Sequence, residues 1–317
     1  GDPPPVGGNP VLAGYVDGQL VWQGKQEFQK GEWENVPSPI GPHEKRIAYV
    51  QFAHWDPSRS FMIPSSTYTV DEQSPGDAGF GFNVPSYPGN QTIYAVAGIL
   101  NSQTQKFSAY AFGVVQGVAV FPAKVTTSVF INMNVALDQG LTLLATPPPP
   151  ASKGPDRLAA SLAVEIAQGR YAILPNMQKA PLLPLSGGVS FIGVPPLDGN
   201  LAGARYHLNV AAVTSPEELA PMSVVGAATA TSTSQPVSLT DFVALPTLTT
   251  PSAGGIWNDH DLESSFAPGA LPPELTVYKI VAGGGLMNWT VAAPTPEPQV
   301  KLPDLSGFEL ASLPEGA

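Results

Sequence analysis

The sequence predicts an all-β protein, and three observations carry that prediction. Proline (36) and glycine (32) are both frequent among 317 residues. Proline removes a backbone donor and glycine raises the entropic cost of a helix, so turns are many and helices few. Charged residues are 12% of the chain, about half the ordinary share, which leaves little to dress the wet faces of amphipathic helices. Apolar residues also recur at a period of two, the signature of a strand with one buried face.

The stretch Gly79 to Gly98 shows that period on either side of a break. Phe80, Phe82 and Val84 share one face, and Ile93, Ala95 and Ala97 do so after a break at Pro85, Pro88, Gly89 and Asn90. Those four residues preset or permit the dihedrals of a chain reversal, so two core strands joined by a short connection are expected.

Before it, Tyr15 to Trp22 reads as a strand with a bulge at Gly18, and Gly24 to Pro42 as a long loop carrying Phe28 and Trp33. Ile47 to Ala53 is apolar nearly throughout, as a strand buried on both faces would be. Tyr68 to Val70 is a short strand ahead of the acidic turn Asp71 to Asp77. After it, a polar connection through Asn101 to Lys106 leads to strands at Phe107 to Phe112 and Val114 to Phe121. Val129, Ile131, Met133 and Val135 then face one way, and Phe130, Asn132 and Asn134 the other.

Within this half, Gly14 to Leu20, Gly79 to Pro85, Gly89 and Ile93 to Ala97 resemble the prealbumin-like β-sandwich modules of bacterial surface proteins. These include the collagen-adhesin B-type repeats and the carboxypeptidase regulatory-like domains. The resemblance covers residues 14–144. It implies a seven-stranded sandwich that serves as spacer, scaffold or binding module. No Lys, Asn and acidic trio answers to the isopeptide bond of some such repeats, so that bond is not expected.

Length alone favours two domains. Residues 1–13 read as a flexible tether, 14–146 as a prealbumin-like β-sandwich, 147–155 as a linker and 156–317 as a second, Ig-like or prealbumin-like β-sandwich. Pro147 to Pro150 favour a semi-rigid polyproline II spacer that offers no donors to a sheet. Beyond it, Leu158 to Gln168 fits either a helix capped by Asp156 or the first arm of a hairpin turning at Gln168 and Gly169, with the hairpin preferred. Ser215 to Leu219 has the cap, proline and acids of a single helical turn. Strands are expected at 189–194, 205–213, 223–231, 237–248, 275–282 and 287–292.

Charge and composition exclude several functions. A net charge of -11 with only 14 Lys and Arg opposes binding to nucleic-acid phosphates or to anionic lipid headgroups. Cysteine is absent, so disulfides, thiolate metal sites and a Cys nucleophile are excluded. No run approaches the roughly 18 apolar residues of a membrane helix. The four histidines, His43, His54, His207 and His260, form no His-Glu-x-x-His helix, and neither a Gly-x-Ser-x-Gly elbow nor a phosphate-binding glycine loop occurs. Catalytic residues and organic cofactors are therefore not expected.

Two candidate sites remain. Asn258, Asp259, Asp261 and Glu263, beside Trp257 and His260, supply the oxygens a Ca²⁺ ion takes in a loop, and equally suit a solvated acidic turn. Trp33, Trp55 and Tyr87 fall in or beside loops, where aromatic faces either stack on sugar or peptide groups or plug the end of a core. The expectation is a non-catalytic, exported cell-envelope or surface protein that scaffolds or binds, with a protein or glycan partner and a lipid anchor upstream of Gly1 as its membrane link. The alternatives are a secreted hydrolase acting on an extracellular polymer and a structural subunit of a larger surface assembly.

Overall fold

Residues Ile47 to Val50 divide their side chains between two hydrophobic cores. Ile47 and Tyr49 enter one, Ala48 and Val50 the other, and all four are buried. They lie in β2 (Glu44–Phe52), which explains an apolar run with no alternation: both faces are inside. The structure is a computed structural model that describes residues 11–16, 35–37, 41–63, 69–71, 80–85, 87–122, 125–148, 154–230, 235–243, 245–252, 261–265, 276–282, 287–293 and 299–301.

The all-β class is what the structure shows, helix among the described residues amounting to one 3-10 turn at Gly199–Leu201. β2 sits inside a five-stranded sheet in the order β3 (Thr69–Asp71), β2, β5 (Gly89–Asn101), β6 (Lys106–Val120) and β8 (Val135–Ala136). A second sheet has the order β4 (Phe80–Pro85), β1 (Val11–Val16), β7 (Val125–Ile131). A four-stranded sheet runs β11 (Arg170–Lys179), β10 (Arg157–Ala167), β13 (Arg205–Thr214), β14 (Leu219–Thr229), and a further one β12 (Val189–Val194), β9 (Gln139–Ala145), β15 (Val237–Leu239). Toward the C-terminus, β16 (Thr247–Thr250), β17 (Asp261–Ser265) and β20 (Gln299–Lys301) form one small sheet, and β18 (Thr276–Ala282) pairs with β19 (Met287–Ala293).

The segment from β7 to β9 threads the layers together. Burial alternates from Val129 to Val135 in the pattern expected, with Phe130, Asn132 and Asn134 exposed. Val129, Ile131 and Met133 fill the core on one side of the five-stranded sheet, whereas Val135 and Leu137 fill the other. The chain thus rounds the edge of that sheet, pairing through β8 with β6 on the way. Gly113 of β6 permits the close passage, since a Cβ there would stand 2.3 Å from the Asn132 carbonyl oxygen.

β9 then pairs antiparallel with β12 and parallel with β15, both from beyond the proline run. One core cluster accordingly holds Tyr49, Tyr94 and Phe112 from before that run together with Leu162, Leu174, Phe191 and Tyr206 from after it. The stretch 147–155 therefore does not divide the hydrophobic core. A strand that precedes it in sequence completes a sheet that follows it.

Several local expectations are settled as well. β4 and β5 follow one another in sequence but lie in different sheets, β4 against β1 and β5 between β2 and β6; a two-residue period fixes which face is wet, not which strand is the partner. The stretch from Phe107 to Phe121 is one strand, not two. Leu158 to Gln168 is the first arm of the β10–β11 hairpin, with Gly169 at φ +63° in its turn. Residues 215–218 form the reversal between β13 and β14 and not a helical turn, with Ser215 and Glu218 at φ 64° and 56° and the Glu218 N–H donating to the Ser215 carbonyl. The pairing of the two flanking strands outweighs the local capping preference of Ser215.

Candidate functional site

The end of β2 meets the outer edge of β11, and polar groups collect along that seam. His54 and Tyr171 exchange both main-chain hydrogen bonds, each 2.8 Å, and so continue the four-stranded sheet into the chain leaving β2. Two residues further along β11, the buried Tyr94 hydroxyl takes the place of a strand partner. It accepts the Ile173 N–H at 3.1 Å and holds its one proton between the Ile173 carbonyl at 3.3 Å and Gln51 Oε1 at 3.1 Å. An edge strand is thus closed by one residue's backbone and another's side chain. Burial pushes the Tyr94 phenol well above its ordinary range, so it stays protonated as this geometry needs.

Register pairing sets the chemistry of the exposed face. Arg205 stands opposite Glu165, Glu165 opposite Tyr171, and Tyr171 opposite His54. Paired residues of an antiparallel ladder share a face, so these four form a row across four strands, roughly 14 Å long. His207 lies diagonal to the row, with the Tyr171 ring edge-on at 5.2 Å. Glu165 is buried and doubly held, by the Gly169 N–H at 2.9 Å and by Arg205 at 2.6 and 2.9 Å. Burial acts to raise its carboxyl, but the Gly169 and Arg205 bonds and the nearby His207 outweigh it and hold the pKa below the usual value.

The His54 ring is fixed by its partners. Arg59 Nη1 approaches Nδ1 at 3.2 Å, and because a guanidinium only donates, Nδ1 is the bare nitrogen and Nε2–H donates to Gln51 Oε1 at 3.3 Å. Burial and the Arg59 charge lower the His54 pKa, with Asp56 opposing; burial and Arg205 lower that of His207, with Glu165 opposing. Gln51 Nε2, Arg170 Nη1 and His207 Nδ1 are buried without a hydrogen-bond partner among the described residues. An ordered water or a bound group would satisfy such atoms.

Trp55 follows directly. Its side chain is 76% exposed, and the Arg170 guanidinium lies over its ring, a cation–π contact that fixes the indole. The loop that carries it is pinned at both ends. Beyond the His54–Tyr171 bridge, Phe61 packs on Phe107 and Tyr49, and Ser60 Oγ accepts from Gln178 Nε2 at 2.6 Å. Asp56 is turned inward on its own loop, accepting the Ser58 N–H and hydroxyl, which lower its pKa. The seam therefore presents an aromatic face and guanidinium groups on a rigid support.

No protein-family model matches the chain, and no curated protein is similar to it.

The other residues singled out from sequence are distributed elsewhere. Tyr87, on the approach to β5, is 84% exposed, and its carbonyl accepts from Gln91 Nε2. Trp33, Asn258 and Asp259 lie outside the described residues. Asp261 and Glu263 occupy alternate positions on β17, and both Glu263 oxygens accept protein donors, from Thr250 Oγ1 at 3.0 Å and Gln299 Nε2 at 2.7 Å. Among the described residues no three His, Asp or Glu side chains gather as a metal site would require.

Sequence reasoning singled out Trp55 but missed Arg59, Glu165, Arg170 and Arg205. A signal existed for two of them: Glu165 is a lone carboxylate in the apolar run Leu158 to Ile166, and Arg205 opens another strand-like segment. Nothing in the sequence states that these strands are neighbours.

The titrating groups of the seam predict how stability responds to acid. A histidine whose folded pKa is depressed gives stability that is complete above the unfolded value of 6.5 and is lost as the pH falls below it. Glu165, also depressed, adds stability above 4.5 that is lost on further acidification. Thermal melts from pH 8 to pH 3 are expected to show the melting temperature falling first below about 6.5 and again below about 4.5. Replacing His54 and His207 together by Gln removes the first step; a melting temperature that rises between pH 7 and pH 5 contradicts the assignment.

Proposed function

We propose that this is a non-catalytic, exported cell-envelope or surface protein that acts as a scaffold or binding module. Its architecture is taken as two β-sandwich units that share a core, a prealbumin-like one over 14–146 centred on the five-stranded sheet and a second over 156–317 to which β9 of the first half adds a strand. The observation that carries the reading is Trp55, exposed on a pinned loop with Arg170 over its ring. Large aromatics cost least when buried, and one held outward by a rigid scaffold is what a recognition surface requires. At the same seam Glu165 faces Arg205 and not a second carboxylate, so the seam itself gives no support to the hydrolase alternative.

One observation favours the assembly reading as a second possibility. β14 is 11 residues long, has a strand neighbour only on the β13 side among the described residues, and bears no charge from Leu219 to Thr229. Edges that must stay single usually carry charges or proline to prevent pairing, and β14 has Pro221 near its start but no charge.

Fractionation of the producing cells, with protease shaving of intact cells and an antibody to this chain, tests the main reading. Recovery with the envelope and loss on shaving is expected. Recovery as free protein in the cytosol contradicts it.

A further inference from the structure

The chain has 25 acidic against 14 basic side chains and only five arginines. Three of those five, Arg59, Arg170 and Arg205, lie at the seam described above. Arg205 is neutralised by Glu165. Arg59 and Arg170 have no carboxylate within ion-pair distance among the described residues, although acids outnumber bases elsewhere in the chain. Arg170 is stacked on the Trp55 ring, and Arg59, four residues on in the same loop, is bonded to the ring of the adjacent His54. Asp56, the one acid in that loop, gives Oδ1 to Ser58; it feels the Arg59 charge but makes no ion-pair contact with it.

We propose that the Trp55 platform binds an acidic polysaccharide, with a sugar ring stacked on the open face of Trp55 and ring carboxylates held by Arg59 and Arg170. This rests on the binding-module reading above. Three features select that occupant. Arg59 gives Nη1 to His54 and the Nη1 of Arg170 is buried, so each offers its remaining N–H groups, and two guanidiniums in one seam without an ion-pair carboxylate among the described residues ask for carboxylates at spaced intervals. The indole presents a flat apolar face, held in place from its other side by Arg170, to the C–H face of a pyranose. An extended peptide would dock by pairing with a strand edge, but here the edge of β11 is already taken by the His54 backbone and the Tyr94 hydroxyl. The pinning of the loop by the bridge to Tyr171, by Phe61 and by Ser60 means that little order has to be created on binding.

The test is affinity electrophoresis of the full chain through gels containing polygalacturonate, its methyl ester, or polyglutamate. Retardation by polygalacturonate at least ten-fold stronger than by the ester is expected, weakening as salt is raised from 50 to 500 mM. It should drop at least ten-fold in Trp55→Ala and in the doubly substituted Arg59→Gln, Arg170→Gln variant, each checked for an unchanged thermal melt. Lysine at both arginine positions keeps the charge and serves where the glutamine variant fails to fold, with a partial loss expected. Equal retardation by polygalacturonate and its ester overturns the acidic preference while leaving a glycan platform standing. Equal retardation by polyglutamate makes the partner an acidic polypeptide and overturns the sugar. Retardation unaffected by any of the variants places binding elsewhere and overturns the site. No retardation in any gel sinks the proposal and, with it, the Trp55 platform, whereas the cellular location is decided separately by shaving.

Discussion

Tyr94→Phe is expected to destabilise the protein by about 2–4 kcal/mol, the effect of leaving a buried N–H and a buried carbonyl without partners. The substitution removes a single oxygen and no packing volume of consequence, so the loss reports the hydroxyl alone. That hydroxyl bonds both main-chain groups of Ile173 and also Gln51. It is the side chain that closes the edge of β11, and Tyr94 itself is fully buried between the two halves of the chain. Chemical denaturation of the wild type and the variant measures it. Tyr110→Phe is the comparison, since Tyr110 lies on the neighbouring strand with its side chain exposed, and a change within about 0.5 kcal/mol is expected there. Equal, small effects for the two tyrosines would mean that the seam is held by other contacts.

Much of the secondary structure is legible in the sequence because it depends on local chemistry. The alternation from Val129 to Val135 predicts which side chains are buried, even where the strand itself is interrupted between β7 and β8. Ile47 to Val50 announce a strand covered on both faces, and it is so covered. Gln168 and Gly169 mark a turn that the hairpin of β10 and β11 uses.

Pairing across long stretches of chain is the part the sequence hides. Nothing in Gln139 to Ala145 says that this strand belongs with Val189 to Val194 and Val237 to Leu239, since strands of similar apolar content are interchangeable partners by composition. The bridge from His54 to Tyr171 spans more than a hundred residues and uses backbone groups alone, which carry no sequence signal. The candidate site inherits that obscurity. Trp55 can be flagged as an aromatic in a loop, but its stacking under Arg170 exists only once the bridge is made.

The proline run raises the second large effect. Residues 147–155 look like a spacer between independent units, yet β9 on one side completes a sheet on the other, and the Tyr94 hydroxyl ties the five-stranded sheet to β11. Cutting the chain there breaks one covalent connection and none of these contacts. Units joined by a linker would be released; interlocked ones would not.

The most direct measurement is therefore cleavage of the full chain at a protease site placed between Pro150 and Ser152, followed by size-exclusion chromatography and a thermal melt. The two pieces are expected to travel together at the size of the intact protein, and separating them to require unfolding. Two smaller species that part under native conditions, each keeping its β-sheet signal and melting on its own, would contradict a shared core.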